Sequence, residues 1–422
     1  MRSEPGNGAV LTQSPGAIRL EFSERPELAL ATIRIASAAD TITLAPLTTD
    51  SVNAHIIIAP VAVQLAPGSH TVLWRVAARD GHPVRGTVSF VVAAPVAPVA
   101  TPPASVQTVD ADEATDSGSS LAIGGALGTI LVRWIAFISI FILIGTVTFE
   151  RFVLDRKNPG DGNFSLIART NAATLGLAAS AGVILTAALK LARESADMPD
   201  AAVSSILFKS TWGASLLAQM LAALGAAAAL RAAHGSTDRA ARRAWSIALA
   251  FAIVVGLTPA FGGHAIGADK AWIAVPADVV HLLAGSAWLG TLAVIVIVGI
   301  SAALKAPDEI RPGARVANLI NAFSPLALMC GGAVAATGLG SSVLRLPRLS
   351  ALWTTPYGVI LVLKLVFVAL LFGAGAWNWR RMKPRLTGDN VISPMRSTAS
   401  LELVLAVIVL GFTAVLVALE LP

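Results

Sequence analysis

Asp278 and His281, near the start of one apolar segment, are spaced so that they can act together. Residues three apart in a helix share a face, and Gly285 and Trp288 continue that face. A carboxylate one turn from an imidazole can accept its spare ring proton and fix the tautomer of a metal-binding histidine, or bind the metal itself. The spacing therefore favours a metal site on this helix.

His264 lies at the end of the preceding apolar segment, and a short loop connects it to the segment that carries His281. The two segments are neighbours in sequence, so we expect both imidazoles to face one site. Ionisable groups in or near membrane segments are costly and tend to be functional. The alternative is that both histidines are interfacial and hydrogen-bonded to backbone groups.

Asp80 and His82 lie in a second stretch of interest, the run from Thr71 to Phe90, which is typical of strand, turn and strand. Taken alone, these residues have a simple interpretation, because Asp-Gly is a common turn-forming pair and His82 would then be solvated.

Soft metal ligands are few in the apolar segments: Met220, Met329 and Cys330, all near mid-depth. Thioether and thiolate sulfur suit Cu(I), so one interpretation is a transmembrane relay. The favoured interpretation is core packing, because methionine and cysteine are ordinary apolar fillers.

Three charged residues also fall inside apolar segments. Arg133 lies about one turn into the first segment and Lys364 about two turns into the seventh. Both side chains are long enough to reach the membrane–water interface, and both could instead line a transport pathway. Neither interpretation is favoured. Glu402, near the inner start of the eighth segment, is expected to pair with a cytoplasmic base. The histidines without a partner motif, expected to be solvated, are His55, His70 and His234.

The elements that position these residues follow from composition. The chain has 422 residues, of which 55% are apolar and 13% charged, and a mean hydropathy of +0.72, which excludes an ordinary soluble protein. Apolar stretches long enough to cross a bilayer as helices recur along it. They predict eight transmembrane helices near 130–149, 171–191, 212–230, 245–261, 275–299, 317–339, 357–379 and 400–419.

Lys and Arg residues support this number, because they concentrate in alternate loops. One set of loops carries 16 of them and the other set carries 6. The positive-inside rule then predicts a multi-pass membrane protein with the first set of loops in the cytoplasm and with the N-terminal domain and the C-terminus extracytoplasmic. The net charge of +6 is spread over membrane loops, so no nucleic-acid partner is expected.

Residues 1–93 have a different pattern, with short alternating or apolar runs broken by Pro, Gly, Asn and Asp. This pattern predicts an all-β sandwich or small barrel. Residues 94–122 are Pro/Ala-rich and then acidic, which is typical of a linker. The predicted fold is therefore multi-domain: an all-β domain, a linker, and an all-α membrane domain over 123–422.

The β domain resembles the CopC family of periplasmic copper-binding domains. The resemblance rests on Trp74-Arg-Val, on Asp80-Gly-His-Pro-Val-x-Gly86 with Phe90, and on an N-terminal block from Ser3 to Leu11. It implies that Asp80 and His82 are Cu(II) ligands, together with an N-terminal histidine that binds through its amine and imidazole. Mixed nitrogen and oxygen ligands suit Cu(II).

The histidine of that family precedes the Ser-x-Pro block by a few residues, whereas Met1 stands two residues before Ser3. The first residues also lack the pattern of a signal peptide, although an outer domain needs export. We expect an earlier start codon that encodes both features. The alternative is a domain that binds copper weakly or not at all.

The membrane region is similar to the CopD family through the segments around His264, from Ala277 to Gly290, and from Leu352 to Lys364. Many relatives carry a further histidine in the first helix, where this chain has Arg133-Trp-Ile-Ala136. A three-histidine site is therefore not expected.

The resemblance to a CopC-CopD fusion implies a copper-handling protein of the bacterial cytoplasmic membrane, not an enzyme, that accepts copper outside and moves it inward. Its partners would be copper ions, lipid and a periplasmic copper donor. No nucleotide-binding or phosphorylation motif is visible, so transport would be passive or potential-driven. The alternatives are extracytoplasmic sequestration or sensing without transport, and a haem- or quinone-linked membrane enzyme that uses His264 and His281.

Overall fold

The computed structural model describes residues 2–22, 25–37, 41–44, 46–78, 83–93, 117–154, 162–195, 204, 207–208, 210–236, 238–262, 271–307, 310–345, 348–382 and 392–419. The chain forms two compact units, one of β-strands and one of helices. Each is described by itself.

The first unit is a sandwich of two β-sheets. Its strands are β1 (Arg2–Glu4), β2 (Ala9–Leu11), β3 (Ala17–Glu21), β4 (Pro26–Ala36), β5 (Thr41–Leu44), β6 (Thr48–Thr49), β7 (Ile56–Pro60), β8 (Gly68–Ala78) and β9 (Pro83–Val92). One sheet has the order β1-β3-β7-β6 and the other β2-β9-β8-β4-β5. The predicted all-β domain is confirmed. Every described strand lies within the predicted range 1–93.

The sandwich core forms because alternate residues of its strands are apolar and point inward. Ile18 and Leu20 of β3 and Ile33 and Ile35 of β4 are all at most 1% exposed. Trp74 of β8 also lies in this core, and its ring covers the backbone of β9.

Gly86 of β9 lies directly beneath that ring, since a Cβ at this position would be 2.5 Å from Trp74 Cζ2. Phe22 meets the same ring edge-on, with 5.3 Å between the centroids. The Trp and Gly of the family signature therefore have a packing role in this chain.

Asp50 organises the turn before β7. Its Oδ1 accepts the backbone N–H of Val52 at 2.9 Å and that of Asn53 at 3.2 Å, and its Oδ2 accepts from the Arg19 guanidinium. The two backbone N–H groups, followed by Arg19, hold the pKa of the Asp50 carboxyl below its ordinary value of 3.8.

The second unit contains α1 (Ser117–Thr148), α2 (Gly162–Ser195), α3 (Thr211–Ala233), α4 (Arg239–Phe261), α5 (Ala271–Lys305), α6 (Pro312–Arg345), α7 (Pro356–Trp377) and α8 (Ile392–Leu416). A short helix, Ala351–Thr354, precedes α7. In the described part of the chain these eight helices are long and apolar enough to cross a membrane, which confirms the predicted number. Helix α1 begins inside the stretch 94–122 interpreted as a linker, and residues 94–116 lie outside the described residues.

Several of these helices contain π-helical turns. One extends α1 at Phe149–Leu154, two interrupt α5 at Ser286–Gly290 and Ile295–Gly299, and one extends α7 at Asn378–Met382. Such turns are rare in proteins as a whole, and those that occur are often found at functional sites. Helix α5 is the central element, and it is the most deeply buried of the eight described helices.

Helices α1 and α5 cross with their backbones in direct contact. A Cβ on Gly145 would be 2.1 Å from the carbonyl carbon of Gly290, and one on Gly290 would be 1.9 Å from Phe141 O. Glycines thus allow the two helices to approach more closely than any side chain would permit.

Two arginines counted among the loop cations are buried within the helical unit. Arg169 of α2 donates from Nε to Glu150 Oε1 at 3.2 Å, and both side chains are at most 10% exposed. Arg315 of α6 is 1% exposed and donates to the carbonyl oxygens of Ala303, Ala306 and Pro307 at the end of α5. Both therefore stabilise the packing of helices near their ends.

Candidate functional site

The centre of the candidate site is His281, on the part of α5 that packs against the last turns of α6. Its Nδ1 lies 3.0 Å from Thr337 Oγ1. The imidazole is half-buried, about ten residues or 15 Å along the helix from Ala271. The ring therefore lies about three turns along α5, in contact with α6.

The hydrogen bonds of Thr337 determine the tautomer of this histidine. The Thr337 hydroxyl donates its single proton to the carbonyl oxygen of Ala333 at 2.6 Å. Toward His281 it can act only as an acceptor, so Nδ1 carries the ring proton. The other nitrogen, Nε2, then holds the lone pair that a metal ion binds.

Asp278 lies one turn before His281 on α5, and its side chain also faces α6. Ser341 Oγ donates to Asp278 Oδ1 at 3.4 Å, one turn beyond the contact between Thr337 and His281. Gly338 leaves room for the imidazole, because a Cβ there would be 3.2 Å from His281 Cε1. The paired Asp and His of α5 thus face a matching row of small and hydroxyl-bearing residues on α6.

Three predicted ligands, Asp80, His82 and His264, lie outside the described residues. Among the described residues, no group of three or more His, Cys, Asp or Glu side chains is placed to hold a metal ion. Asp278 and His281 are the two predicted nitrogen and oxygen ligands whose surroundings the structure describes. Their role as ligands stays a prediction.

The N-terminal strand of the β unit pairs with the end of β3 from which the chain continues toward β4. Arg2 pairs with Glu21, at the end of β3, and Pro26, at the start of β4, pairs with Ala78. The five residue steps from Glu21 to Pro26 span at most about 18 Å. The residue paired with Arg2 is thus within about 18 Å of the residue paired with Ala78, the last described residue of β8.

The soft-ligand candidates are not gathered on one inward face. Met329 is 72% exposed on the surface of the helical unit, whereas the neighbouring Cys330 packs against its core. Met220 of α3 is half-buried. The relay stays a prediction. Core packing, the favoured interpretation, is wrong for Met329, because its side chain lies on the surface of the helical unit.

Of the two intramembrane cations, Arg133 has a clear structural contact. Its Nη1 donates to the carbonyl oxygen of Val417 at 2.7 Å, just beyond the end of α8. A cation at a helix C-terminus satisfies carbonyl groups that lack a helical partner. Lys364 is half-buried within α7.

Two minor expectations were wrong. His70 is buried rather than solvated: it is 4% exposed, its Nε2 lies 2.8 Å from Ala66 O, and its ring stacks on Phe90. Glu402 accepts a hydrogen bond from the Asn378 amide and not from a base within the described residues. His234 is exposed as expected and contacts Thr174, and His55 is half-buried.

Sequence reasoning missed Thr337, Gly338 and Ser341. The predicted sixth helix ended at residue 339, whereas α6 continues to Arg345 and carries Ser341 on the face of Thr337. A usable signal was present, because hydroxyl-bearing residues four apart in an apolar helix form a polar stripe. Nothing in the spacing, however, indicated that this stripe meets α5.

Three family models match the chain. "CopC domain" matches residues 1–93, "Copper resistance protein D-like, N-terminal domain" matches 123–275, and "Copper resistance protein D" matches 317–416. The last match includes Thr337 and Ser341. Asp278 and His281 fall between the second and third matches.

Similar proteins include the copper transport protein CutJ of Bacillus subtilis, 24% identical over 402 residues, which is 92% of this chain and 69% of the relative. Protein YobA of Escherichia coli is 34% identical over 87 residues, which is 20% of this chain and 70% of the relative. A crystal structure of CopC from Methylosinus trichosporium OB3b is 26% identical, covers 22% of this chain and 90% of that one, and has a TM-score of 0.21. The chain thus joins a CopC domain to a CopD-type membrane domain, and it belongs to the CopC-CopD family of copper resistance and transport proteins.

Proposed function

We propose that this protein takes up copper at its outer β domain and passes it inward across the cytoplasmic membrane through a site built on Asp278 and His281. Copper is the cargo in this proposal. The relative CutJ is named a copper transport protein, and the similarity extends over 92% of this chain and 69% of that relative.

The observation that carries the proposal is the contact between His281 and Thr337. A histidine whose Nδ1 proton is accepted by a hydroxyl at 3.0 Å presents Nε2 as a metal ligand in a fixed direction. Asp278 adds an oxygen donor one turn away on the same helix face. Such a carboxylate and imidazole pair can hold a copper ion transiently, which suits passage better than permanent storage.

The β domain would supply the entrance. An N-terminal histidine, Asp80 and His82 would be its copper ligands. The short stretch between Glu21 and Pro26, which pair with Arg2 and Ala78, is compatible with their convergence. These nitrogen and oxygen donors fit Cu(II). Passage at His281 would use either oxidation state, with Cu(I) as the candidate inside the membrane.

The inward direction is supported by physics and by the distribution of basic residues. Of the 16 Lys and Arg residues counted on one side, Arg169 and Arg315 are buried within helices, and the other 14 still outnumber the 6 on the opposite side. By the positive-inside rule the richer side would be cytoplasmic, which leaves the β domain and the C-terminus outside. A cation that moves inward gains about 2.3 kcal/mol per charge for each 100 mV of membrane potential. Potential-driven uptake therefore needs no nucleotide.

Copper accumulation in cells that express the protein tests the proposal. We expect His281→Ala to reduce accumulation to the level of cells without the protein. His234→Ala is the matched control, because His234 is an exposed histidine of the same unit and contacts only Thr174 among the hydrogen bonds described, and it should accumulate copper like the wild type. Equal accumulation in His281→Ala and wild type, at equal expression, would remove the transport proposal.

The same cells separate the alternatives. Wild-type cells that accumulate no more copper than cells without the protein, while the purified protein still binds copper, would favour sequestration or sensing. A Soret band in the purified protein that is lost in His281→Ala would favour a haem-bearing enzyme.

A further inference from the structure

Three basic side chains lie together at the end of α1 and α2 that the proposed topology places outside. Arg133 belongs to α1, and Lys190 and Arg193 belong to the last turns of α2. Arg133 and Lys190 are half-buried, whereas Arg193 is exposed. These three residues are called the outer basic cluster below. The residues of the proposed copper site do not belong to it.

The packing of α1 against α2 positions Arg193. A Cβ on Gly182 of α2 would be 2.4 Å from Ser139 Oγ of α1, and a Cβ on Gly128 of α1 would be 2.6 Å from Arg193 Nη2. The two contacts are equally far apart along both helices, so α1 and α2 lie side by side and antiparallel. The Arg193 guanidinium therefore rests against the backbone of α1.

Lys190 brings a second charge to the same face of α2. Residues three apart share a helix face, so Lys190 lies beneath Arg193, one turn deeper in the helical unit. At this depth α1 carries Arg133, and the positive charges of Lys190 and Arg133 lie close enough to interact. The Arg133 guanidinium donates to the carbonyl oxygen of Val417 at 2.7 Å, so the chain just beyond α8 also borders the cluster.

The cluster concentrates positive charge on the side of the membrane domain that has little of it. Lys190 and Arg193 are two of the six Lys and Arg residues counted on this side. Like charges that lie close together at the edge of the hydrocarbon repel each other, because the effective dielectric constant is low there. Glu194 is the acidic residue at this end of α2, but the charge that acts on Lys190 is that of Arg133. A bound anion would relieve this repulsion.

Apolar side chains continue from the cluster along both helices. Leu131 and Ile135 of α1 and Leu185 and Leu189 of α2 are exposed on the surface of the helical unit. They offer contacts to acyl chains directly beside the three cations. A ligand with an anionic head and apolar tails therefore matches this surface better than a small anion does.

We propose that the outer basic cluster binds a phosphate group at the lipid–water interface, carried by an anionic phospholipid. Lys190 and Arg193 hold the phosphate oxygens through charge-assisted hydrogen bonds, and Arg133 adds its charge while it keeps its contact with Val417. Basic pockets between transmembrane helices are known to bind anionic head groups. The lipid would link α1 and α2 beside the end of α8. Free inorganic phosphate has the same head-group chemistry and is the other source of such an anion.

Thermal unfolding of the purified full-length protein in detergent, with added lipid, tests the proposal. Phosphatidylglycerol should raise the melting temperature of the wild type, and phosphatidylcholine should not. Lys190→Gln/Arg193→Gln should need at least about tenfold more phosphatidylglycerol for the same increase, since two charged contacts are lost. Arg239→Gln/Arg243→Gln is the matched control, because it removes two exposed cations from the first turns of α4 and should respond like the wild type.

The results that would overturn the proposal are specific. If the wild type melted at the same temperature in both lipids, the cluster would have another counter-charge, such as the acidic stretch from 110 to 116, and the site would be refuted. An equal response of the Lys190/Arg193 variant and the wild type would also refute it. An equal loss of response in the control variant would show general charge attraction. Inorganic phosphate that stabilises the protein in phosphatidylcholine as well as phosphatidylglycerol does would keep the phosphate site and refute the lipid.

Native mass spectrometry of the wild type does not depend on any variant. Protein extracted from the cell membrane should retain phosphatidylglycerol in preference to phosphatidylcholine when both are supplied in equal amounts. No preference would contradict the proposal even if the double variant failed to fold. Lys190→Gln alone, which leaves Arg193 and the Arg133 contact intact, should show an intermediate preference.

Discussion

Replacement of Thr337 by valine isolates the contribution of one hydroxyl to copper binding. Valine keeps the shape of threonine and leaves Gly338 unchanged, but it removes the oxygen 3.0 Å from His281 Nδ1. The imidazole then loses the partner that selects its tautomer and direction. Copper affinity should fall although no proposed ligand is altered.

The expected loss of affinity follows from the role of Thr337 as hydrogen-bond partner of the proposed ligand His281. Loss of the partner of a metal-binding histidine typically lowers affinity about 10–100-fold, which corresponds to about 1.4–2.7 kcal/mol. Thr337→Ser retains the hydroxyl and should stay close to wild type. Ser342→Ala is the second control, since the Ser342 hydroxyl donates to Gly338 O at 2.9 Å on its own helix.

The assay is a competition titration of copper against a chelator, with purified full-length protein that carries His82→Ala so that the outer domain contributes less. Copper accumulation in cells should follow the same order. The reasoning would be refuted if Thr337→Val bound copper as tightly as wild type while His281→Ala lost binding, because Thr337 would then not position the ring.

Two further predictions concern stability. Gly290→Ala should destabilise the helical unit by about 3 kcal/mol, the upper end of the range for overpacking, because the new Cβ would meet a backbone atom, Phe141 O. Gly332→Ala is the control, since a Cβ at this position would enter open space. Equal melting temperatures of the two variants in detergent would contradict the described helix crossing. The lowered pKa of Asp50 means that its contribution to the stability of the β domain is complete above its ordinary pKa of 3.8 and is lost as the pH falls through the lower folded value. Thermal unfolding of wild type and Asp50→Asn, followed in the full chain by proteolysis of the β domain from neutral pH to below pH 4, should show a weaker acid dependence in the variant, and identical curves would exclude this role.

The architecture was predictable because lipid and the β pleat impose strong periodic constraints. A helix must be about 20 apolar residues long to cross the bilayer, so hydropathy alone identified all eight helices. Alternation revealed β3, β4, β7 and β8 in the same way. Helix ends were less predictable, since α6 runs to Arg345 and α2 begins at Gly162, beyond the apolar cores on which the predictions rested.

The partners of the polar residues were not predictable, because they depend on packing between distant segments. His281 and Thr337 are 56 residues apart, and no local pattern indicates their contact. Glu402 was expected to find a base because bases are frequent near it in sequence, yet an amide 24 residues earlier reaches it. Periodicity shows which face of a helix is polar, but not which residue that face meets.

The contact between Arg133 and Val417 has a consequence for the biosynthesis of the protein. The two residues are separated by 284 positions, one in α1 and the other just beyond the end of α8. Seven helices must therefore enter the membrane before this contact can form, and in the meantime the Arg133 guanidinium must be accommodated without it. Completion of α8 ties α1 to α8, so a nascent chain that stops within α8 would lack this contact and would differ from the longer chain in a feature that membrane quality control can detect.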